Sequence, residues 1–435
     1  MTGKAAGVAT LTLAFVAVLF ALLLLPLCTH AADTLPAKLD DASFWKLISD
    51  LSEPNGEFQS ENLLSNETDF PIVMSTLKTT VPSGGVYLGV GPEQNFNYIA
   101  AIHPRMAIII DIRRQNMLEH FLYKALFELS PDRSAFISRL FSRRSVPEYG
   151  LTNASSAAEL FDAYQDAGPD HAMFDRNLRD IRKLLVETHR LALTRDDLAS
   201  LENLYAAFRD FGSAINYNSR GGGFGGRAFM PSYQELMTET DRNGREWSYL
   251  ASEESYQTVR NLELRNLIVP ITGDFGGPSA IRSVGKFLID HGAVVSAFYT
   301  SNVEGYLFRG GDRQGNLNGG PERFYDNVAA LPLDRSSTII RWIPNGGGRS
   351  NGSSISLAPI LSTIEDFKAG RLTSANLFPP RGNGYFLSYQ GFINATSPVS
   401  RSERLRGALL RGLPIVFAAA LVALLLTGLY FWKRG

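Results

Sequence analysis

Cysteine is almost absent from this sequence of 435 residues. The single one, Cys28, stands inside an apolar run, so the chain downstream of it has no disulfide, thiolate zinc site or cysteine nucleophile. An excess of one charge is lacking too. Lys and Arg number 42 against 43 Asp and Glu, a net charge of -1, which gives no argument for a nucleic-acid partner. Metal-ligand spacing is missing. The histidines His30, His103, His120, His171, His189 and His291 are scattered, and His103 and His291 fall near expected helix ends, where a cation meets the last carbonyls. No internal repeat is evident.

Hydrophobic residues make up 45% of the chain and aromatic ones 11%, enough for a sizeable core. Two uncharged runs stand out. Residues 5–27 span about 23 positions, sufficient to cross a hydrocarbon layer of about 30 Å. Lys4 precedes this run and Asp33, Asp40 and Asp41 follow it, which favours an inside amino end. Thr29-His30-Ala31 ahead of Ala32 fits a signal-peptidase site, so residues 1–32 read as a cleaved signal or as an anchor. Residues 413–432 form the second run, with Tyr430 and Trp432 where an aromatic belt belongs and Lys433-Arg434 after them. A lipid bilayer is therefore an expected partner.

Sidedness is pulled both ways. Both ends inside would export the domain, whereas Arg401, Arg404, Arg406 and Arg411 in the basic segment 401–412 favour a cytoplasmic one. Large domains translocate largely regardless of such a count, which favours export. Asn66, Asn153, Asn351 and Asn394 head Asn-x-Ser/Thr triplets, which a chain rich in these residues produces by chance.

Between the runs, after a spacer at 33–41, residues 42–400 read as one α/β domain. The spacing of Phe44, Trp45, Leu47 and Ile48 predicts a helix over 42–51, and another is expected around 70–77. Apolar runs at 86–90 and 106–111 predict buried strands, with helices near 92–102 and 116–129. Strand, glycine turn, helix, strand and acid in that order open a doubly wound fold. Residues 131–265 read as a helical insertion, with apolar three-and-four spacing over 157–167, 174–193 and 196–211 and a capping-box-like start at Thr194 and Asp197. Gly221 to Gly226 read as a loop, since the Lys-Ser/Thr of a phosphate cradle is missing. The rhythm returns with strands at 266–274, 293–299 and 337–343 and a helix over 278–291; Pro270 suggests an edge strand or an irregular point.

Gly89-Val90-Gly91 leaves a strand, and Asp111 stands twenty residues past Gly91. Small residues admit a ligand to the backbone, a helix amino end favours negative charge, and an acid there accepts from ribose hydroxyls. A tight turn without a ligand explains the same residues. Arg113 and Arg114 could meet a phosphate or carboxylate, or be solvated. Asp274 closes another strand on what should be the same edge, and Tyr299, Ser301, Asn302 and Glu304 leave the next. A carboxylate and a phenol there suit a general base and an orienting group, Asp274 and Tyr299, with Asn302 and Glu304 toward a ligand. Capping by Asp274 and packing by Tyr299 are the simpler reading.

Three segments carry a resemblance: GGVYLGVGPEQNFNYIAAIHPRMAIIIDIRR, PSYQELMTETDRNGREWSYLASEE and GDFGGPSAIRSVGKFLIDHGAVVSAFYTSNVEGYLF. Over roughly residues 44–343 the chain resembles a group of uncharacterised, mainly bacterial proteins described as Rossmann-like, akin to class I S-adenosylmethionine-dependent methyltransferases. The resemblance implies that fold and S-adenosylmethionine as the cofactor to look for, at Gly89, Gly91, Asn95 and Asp111. It implies that Asp111 stands where an acid holds the cofactor ribose and that Asp274 stands where a catalytic loop begins. Val86 replaces the usual early acid, and Asn95 stands near the last glycine. A non-enzymatic envelope domain of the same fold, binding a small molecule or a protein partner, is the alternative.

Overall fold

The computed structural model describes residues 34–58, 62–145, 150–165, 167–219, 230–309, 320–343 and 355–373. Both terminal apolar runs, the basic segment 401–412 and Gly221 to Gly226 lie outside them. Among the described residues no helix is long and apolar enough to cross a membrane.

The chain enters through α1 (Asp41–Leu51) and α2 (Pro71–Thr80), then runs β1 (Val86–Gly89), α3 (Gln94–Ile102), β2 (Met106–Asp111) and α4 (Arg114–Leu129). The insertion follows: α5 (Arg133–Phe141), α6 (Ala157–Asp162), α7 (His171–Arg182), a π-helical turn at Lys183–Thr188, α8 (Arg195–Phe211), α9 (Tyr233–Thr238) and α10 (Glu253–Glu263). The sheet resumes with β3 (Ile268–Thr272), α11 (Ala280–Asp290), β4 (Val295–Ser301), α12 (Val303–Arg309), α13 (Gly320–Ala329), β5 (Thr338–Trp342), β6 (Ile355–Pro359) and α14 (Ile360–Lys368).

Six strands form one sheet in the order β3-β2-β1-β4-β5-β6, parallel except for β6, which runs antiparallel to β5. This is a mixed α/β fold of Rossmann-like kind, with the order reversing between β1 and β4. Strands buried on both faces need no alternation, and Ile108, Ile109 and Ile110 are all fully buried. Each such side chain contributes roughly 1.5–3 kcal/mol. Pro270 is tolerated because β3 is an edge strand, paired only with β2. Right-handed crossovers put the helices of the β1-β2-β3 half and those of the β4-β5 half on opposite faces. Accordingly α3, α4 and α10 pack together, while α11 packs on α1 and α13.

The insertion wraps α4, whose residues Asn116 to Phe127 are all buried. Its own helices start on side-chain caps. At α8, Thr194 Oγ1 accepts from the Asp197 amide at 3.1 Å and Asp197 returns a bond to the Thr194 amide at 2.9 Å. The same carboxylate takes the Arg114 guanidinium in a fork at 2.7 and 2.9 Å, tying α8 to the start of α4. Arg114 is thereby spent on structure.

Candidate functional site

The first glycine turn is built by Asn95. Fully buried on α3, its amide donates to the carbonyls of Val90, Gly91 and Pro92 at 3.0, 3.0 and 2.7 Å, and its oxygen accepts from Tyr87 at 2.9 Å. Its two amide hydrogens are shared among three carbonyls and its oxygen is taken as well, so Asn95 staples the turn from behind and does not face a ligand. Gly89 belongs to the same staple, since a β-carbon there would collide with the Asn95 oxygen and the Tyr87 ring. Gly91 differs. Its φ is +76°, a left-handed value that favours glycine, and no heavy atom lies within 4 Å of where its β-carbon would stand. His120 fixes the turn from below: Nε2 donates to the Gly91 carbonyl at 2.9 Å, and burial pulls this imidazole down to about 4, so it is neutral.

Gly91 opens into a cavity of about 400 Å³ at the carboxyl ends of β1, β2, β3 and β4, where the strand order reverses. Phe58, Leu64, Val90, Phe275, Tyr306 and Leu307 give it apolar walls; Phe58 and Tyr306 meet edge to face at 5.2 Å. Asp111, Arg113, Gln94, Asp274, Tyr299, Ser301 and Asn302 supply polar groups. The size and this mixture of apolar wall and convergent polar groups suit a small organic molecule.

The expected residues divide. Gly91, Asp111, Asp274, Tyr299 and Asn302 all line this cavity, brought together from four strand ends. Asp111 does not stand free, however. Arg113 forks onto it, Nε to Oδ1 at 3.0 Å and Nη2 to Oδ2 at 3.1 Å, and the Arg113 amide adds a bond at 2.9 Å. Glu304 turns away: it is buried against Arg341 at 3.2 Å and accepts from the Tyr325 hydroxyl. Asp274 does not cap α11. Its carboxylate closes a turn on the Gly276 amide at 2.9 Å, and Glu53 does the capping, accepting from the amides of Asp274, Ser279 and Ala280 at 2.9, 2.7 and 2.8 Å and from the Ser279 hydroxyl at 2.9 Å. Burial works to raise the Glu53 carboxyl, but these donors outweigh it and hold the group below its usual range. Glu53→Ala should cost about 1–2 kcal/mol in urea denaturation, the upper range for a lost cap, because four donors lose their acceptor.

Glu67 is the group that sequence reading passed over. It is buried behind the cavity wall, where Oε1 accepts from the Ser301 hydroxyl at 2.5 Å and Oε2 from the Tyr299 hydroxyl at 2.9 Å. Burial pushes it up to about 7 against the pull of those two donors. Nothing local in the sequence marks it, since its partners lie more than 230 residues away. Glu93, also buried and pushed up to about 8 by burial, accepts from the Ser65 amide at 3.1 Å and so fixes this segment on α3.

A family model described as Domain of unknown function (DUF7790) matches residues 63–370. The chain belongs to that family. The DUF7790 match takes in all six strands, Glu67 and the cavity residues from Leu64 onward, and it points to no methyltransferase family. No curated protein matches the chain. Among the described residues no group of three or more His, Cys, Asp or Glu side chains is placed to hold a metal ion.

Proposed function

We propose that this chain is a membrane-tethered ligand-binding domain whose cavity takes a small, nucleoside-bearing molecule, S-adenosylmethionine being the first to test. The observation that carries it is the 400 Å³ cavity at the strand-order reversal, with the bare Gly91 backbone on one wall. Gly91 lets a ligand approach the main chain, and the rings of Phe58, Phe275 and Tyr306 offer apolar surface to a base. Asp111 Oδ1 already accepts from the Arg113 amide and Nε, but Oδ2 accepts from Nη2 and retains acceptor capacity for a ribose hydroxyl. S-adenosylmethionine supplies an electrophilic methyl group when bound. The chain's part is to seat it and exclude water. The two uncharged runs, residues 5–27 and 413–432, support the tether.

The Arg113 fork on Asp111 favours a second reading, a non-enzymatic envelope domain whose ligand is something else. Calorimetric titration of the full chain in detergent, with S-adenosylmethionine and separately with adenosine, decides between them. Heat with both, weakened at least tenfold in Asp111→Ala, is expected; silence with both overturns the nucleoside reading. A reporter fused after Arg406 reports the side of the membrane. An exported signal removes S-adenosylmethionine, a cytoplasmic metabolite, and leaves the envelope reading.

A further inference from the structure

The nucleoside reading makes no use of the groups that the end of β4 presents to the same cavity. Tyr299 and Ser301 line it there, and the ladder to β5 shifts register between them. Ser301 has φ +48°, a left-handed backbone that a serine adopts at a cost, and it sits between a strand and α12. Strand, strained serine and helix is the geometry that thrusts a hydroxyl out over the end of a sheet, here without flanking glycines. The Ser301 hydroxyl then points at one oxygen of buried Glu67 at 2.5 Å, while the Tyr299 hydroxyl holds the other at 2.9 Å. A hydroxyl, a base within hydrogen-bond reach and a third group that orients the base are the parts of an activated nucleophile.

We propose that Ser301 is a nucleophile with Glu67 as its base and Tyr299 as positioning residue, and that the cavity takes a carboxylic ester or thioester. This rests on the cavity being the ligand site, not on the ligand carrying a nucleoside. The Ser301 oxygen attacks the acyl carbon and forms an O–C bond while its proton passes to Glu67. Collapse breaks the bond to the alkoxide or thiolate, which leaves with that proton. Water then hydrolyses the acyl-serine through the same base, releasing a carboxylic acid and restoring the hydroxyl. Asn302, next in the chain and also on the cavity wall, brings an amide to the oxygen that gains charge. Phe58, Phe275 and Leu307 suit an apolar acyl group.

The base is tuned by its surroundings. Around Glu67 stand Asp69 on its own segment, Tyr87 on β1, Glu93 at the start of α3, Tyr98 within it and Tyr299 on β4. Burial, and after it the Asp69 charge, disfavour the ionised form, the Ser301 and Tyr299 hydroxyls favour it, and the balance lies at about 7. A base at that value changes from mostly protonated at pH 6 to mostly ionised at pH 8, roughly tenfold in the active form.

A fluorophosphonate probe tests this without knowledge of the substrate. The serine oxygen forms a bond to phosphorus, fluoride leaves, and the proton goes to Glu67. On the full chain in detergent, mass spectrometry should find one adduct, on Ser301, forming about tenfold faster at pH 8 than at pH 6. Ser301→Gly, which accepts the left-handed backbone and keeps the fold, should give none. Glu67→Gln should slow labelling at least a hundredfold and abolish its rise with pH. Tyr299→Phe, the milder change, should move that rise to higher pH. An unlabelled Ser301 at pH 8 in chain that melts cooperatively overturns the proposal. So does a Tyr299→Phe profile identical to that of the unsubstituted chain. Labelling without heat from S-adenosylmethionine or adenosine removes the nucleoside reading alone; heat without labelling removes the nucleophile alone.

Discussion

Glu304→Ala is expected to destabilise the domain by about 3–5 kcal/mol, measured as a lowered urea midpoint at constant slope. Glu304 is 2% exposed and Arg341, on β5, is 4% exposed. Their side chains meet at 3.2 Å, the Tyr325 hydroxyl from α13 satisfies the second Glu304 oxygen, and Arg341 reaches Thr363 on α14 at 3.2 Å. Removing the carboxylate leaves a buried guanidinium with one neutral partner among the described residues, Thr363, which is where the cost of breaking a buried pair arises. The double change Glu304→Ala with Arg341→Met should recover much of the loss, because the stranded charge goes too. A residue whose role was to hold a ligand would behave oppositely. Its alanine variant would unfold at the wild-type midpoint and fail only in binding.

That Glu304 reads as a ligand residue in the sequence and is a structural one in the fold has a specific cause. Strand ends on the carboxyl edge of a parallel sheet are the places to seek a site, and Tyr299 to Glu304 lie on that edge. The left-handed turn at Ser301 and the start of α12 then rotate successive side chains, so that Asn302 stays on the cavity wall while Glu304 goes under it. The strands themselves were legible because β2 is an unbroken apolar run up to Asp111 and because β4 and β5 carry short apolar centres, Ala297 to Tyr299 and Ile339-Ile340. β6 was not, since ISLAP is short and half-buried and carries none of that signal. In the glycine turn, spacing located Gly89, Gly91, Asn95 and Asp111 together. It could not tell the glycine that packs from the one that opens, nor foresee that Arg113, two residues from Asp111, would close its fork on it. Glu67 was illegible for a plainer reason: its hydrogen-bond partners Tyr299 and Ser301 are brought to it only by the tertiary fold.

Stability should be greatest near pH 5 and fall as pH rises toward 8. Burial raises Glu67 to about 7 and Glu93 and Glu263 to about 8, and moves Glu119, crowded by Glu93 as well, in the same direction. In the unfolded chain these carboxyls ionise near 4.3. The native state therefore keeps protons that the unfolded state has released. The contribution of these groups is full below the unfolded value and is lost as pH rises through the folded values near 7 and 8. His189 adds to the trend: burial would lower it, but Glu128 and Asp41, at 2.9 and 2.8 Å, raise it on balance, so its stabilisation also fades with rising pH. Opposing them on the acid side is Asp197, which the Arg114 fork holds down to about 2 and whose support is lost as pH falls. Glu263 isolates the effect. Neither of its oxygens has a hydrogen-bond partner among the described residues, and the nearby Lys124 is already paired with Glu128 at 2.7 Å. Glu263→Gln should therefore raise the unfolding free energy at pH 8 by roughly 2–4 kcal/mol and change it little at pH 5. A loss at pH 8 would mean that Lys124 holds Glu263 ionised in the folded state and that its charge, not its burial, governs the end of α10.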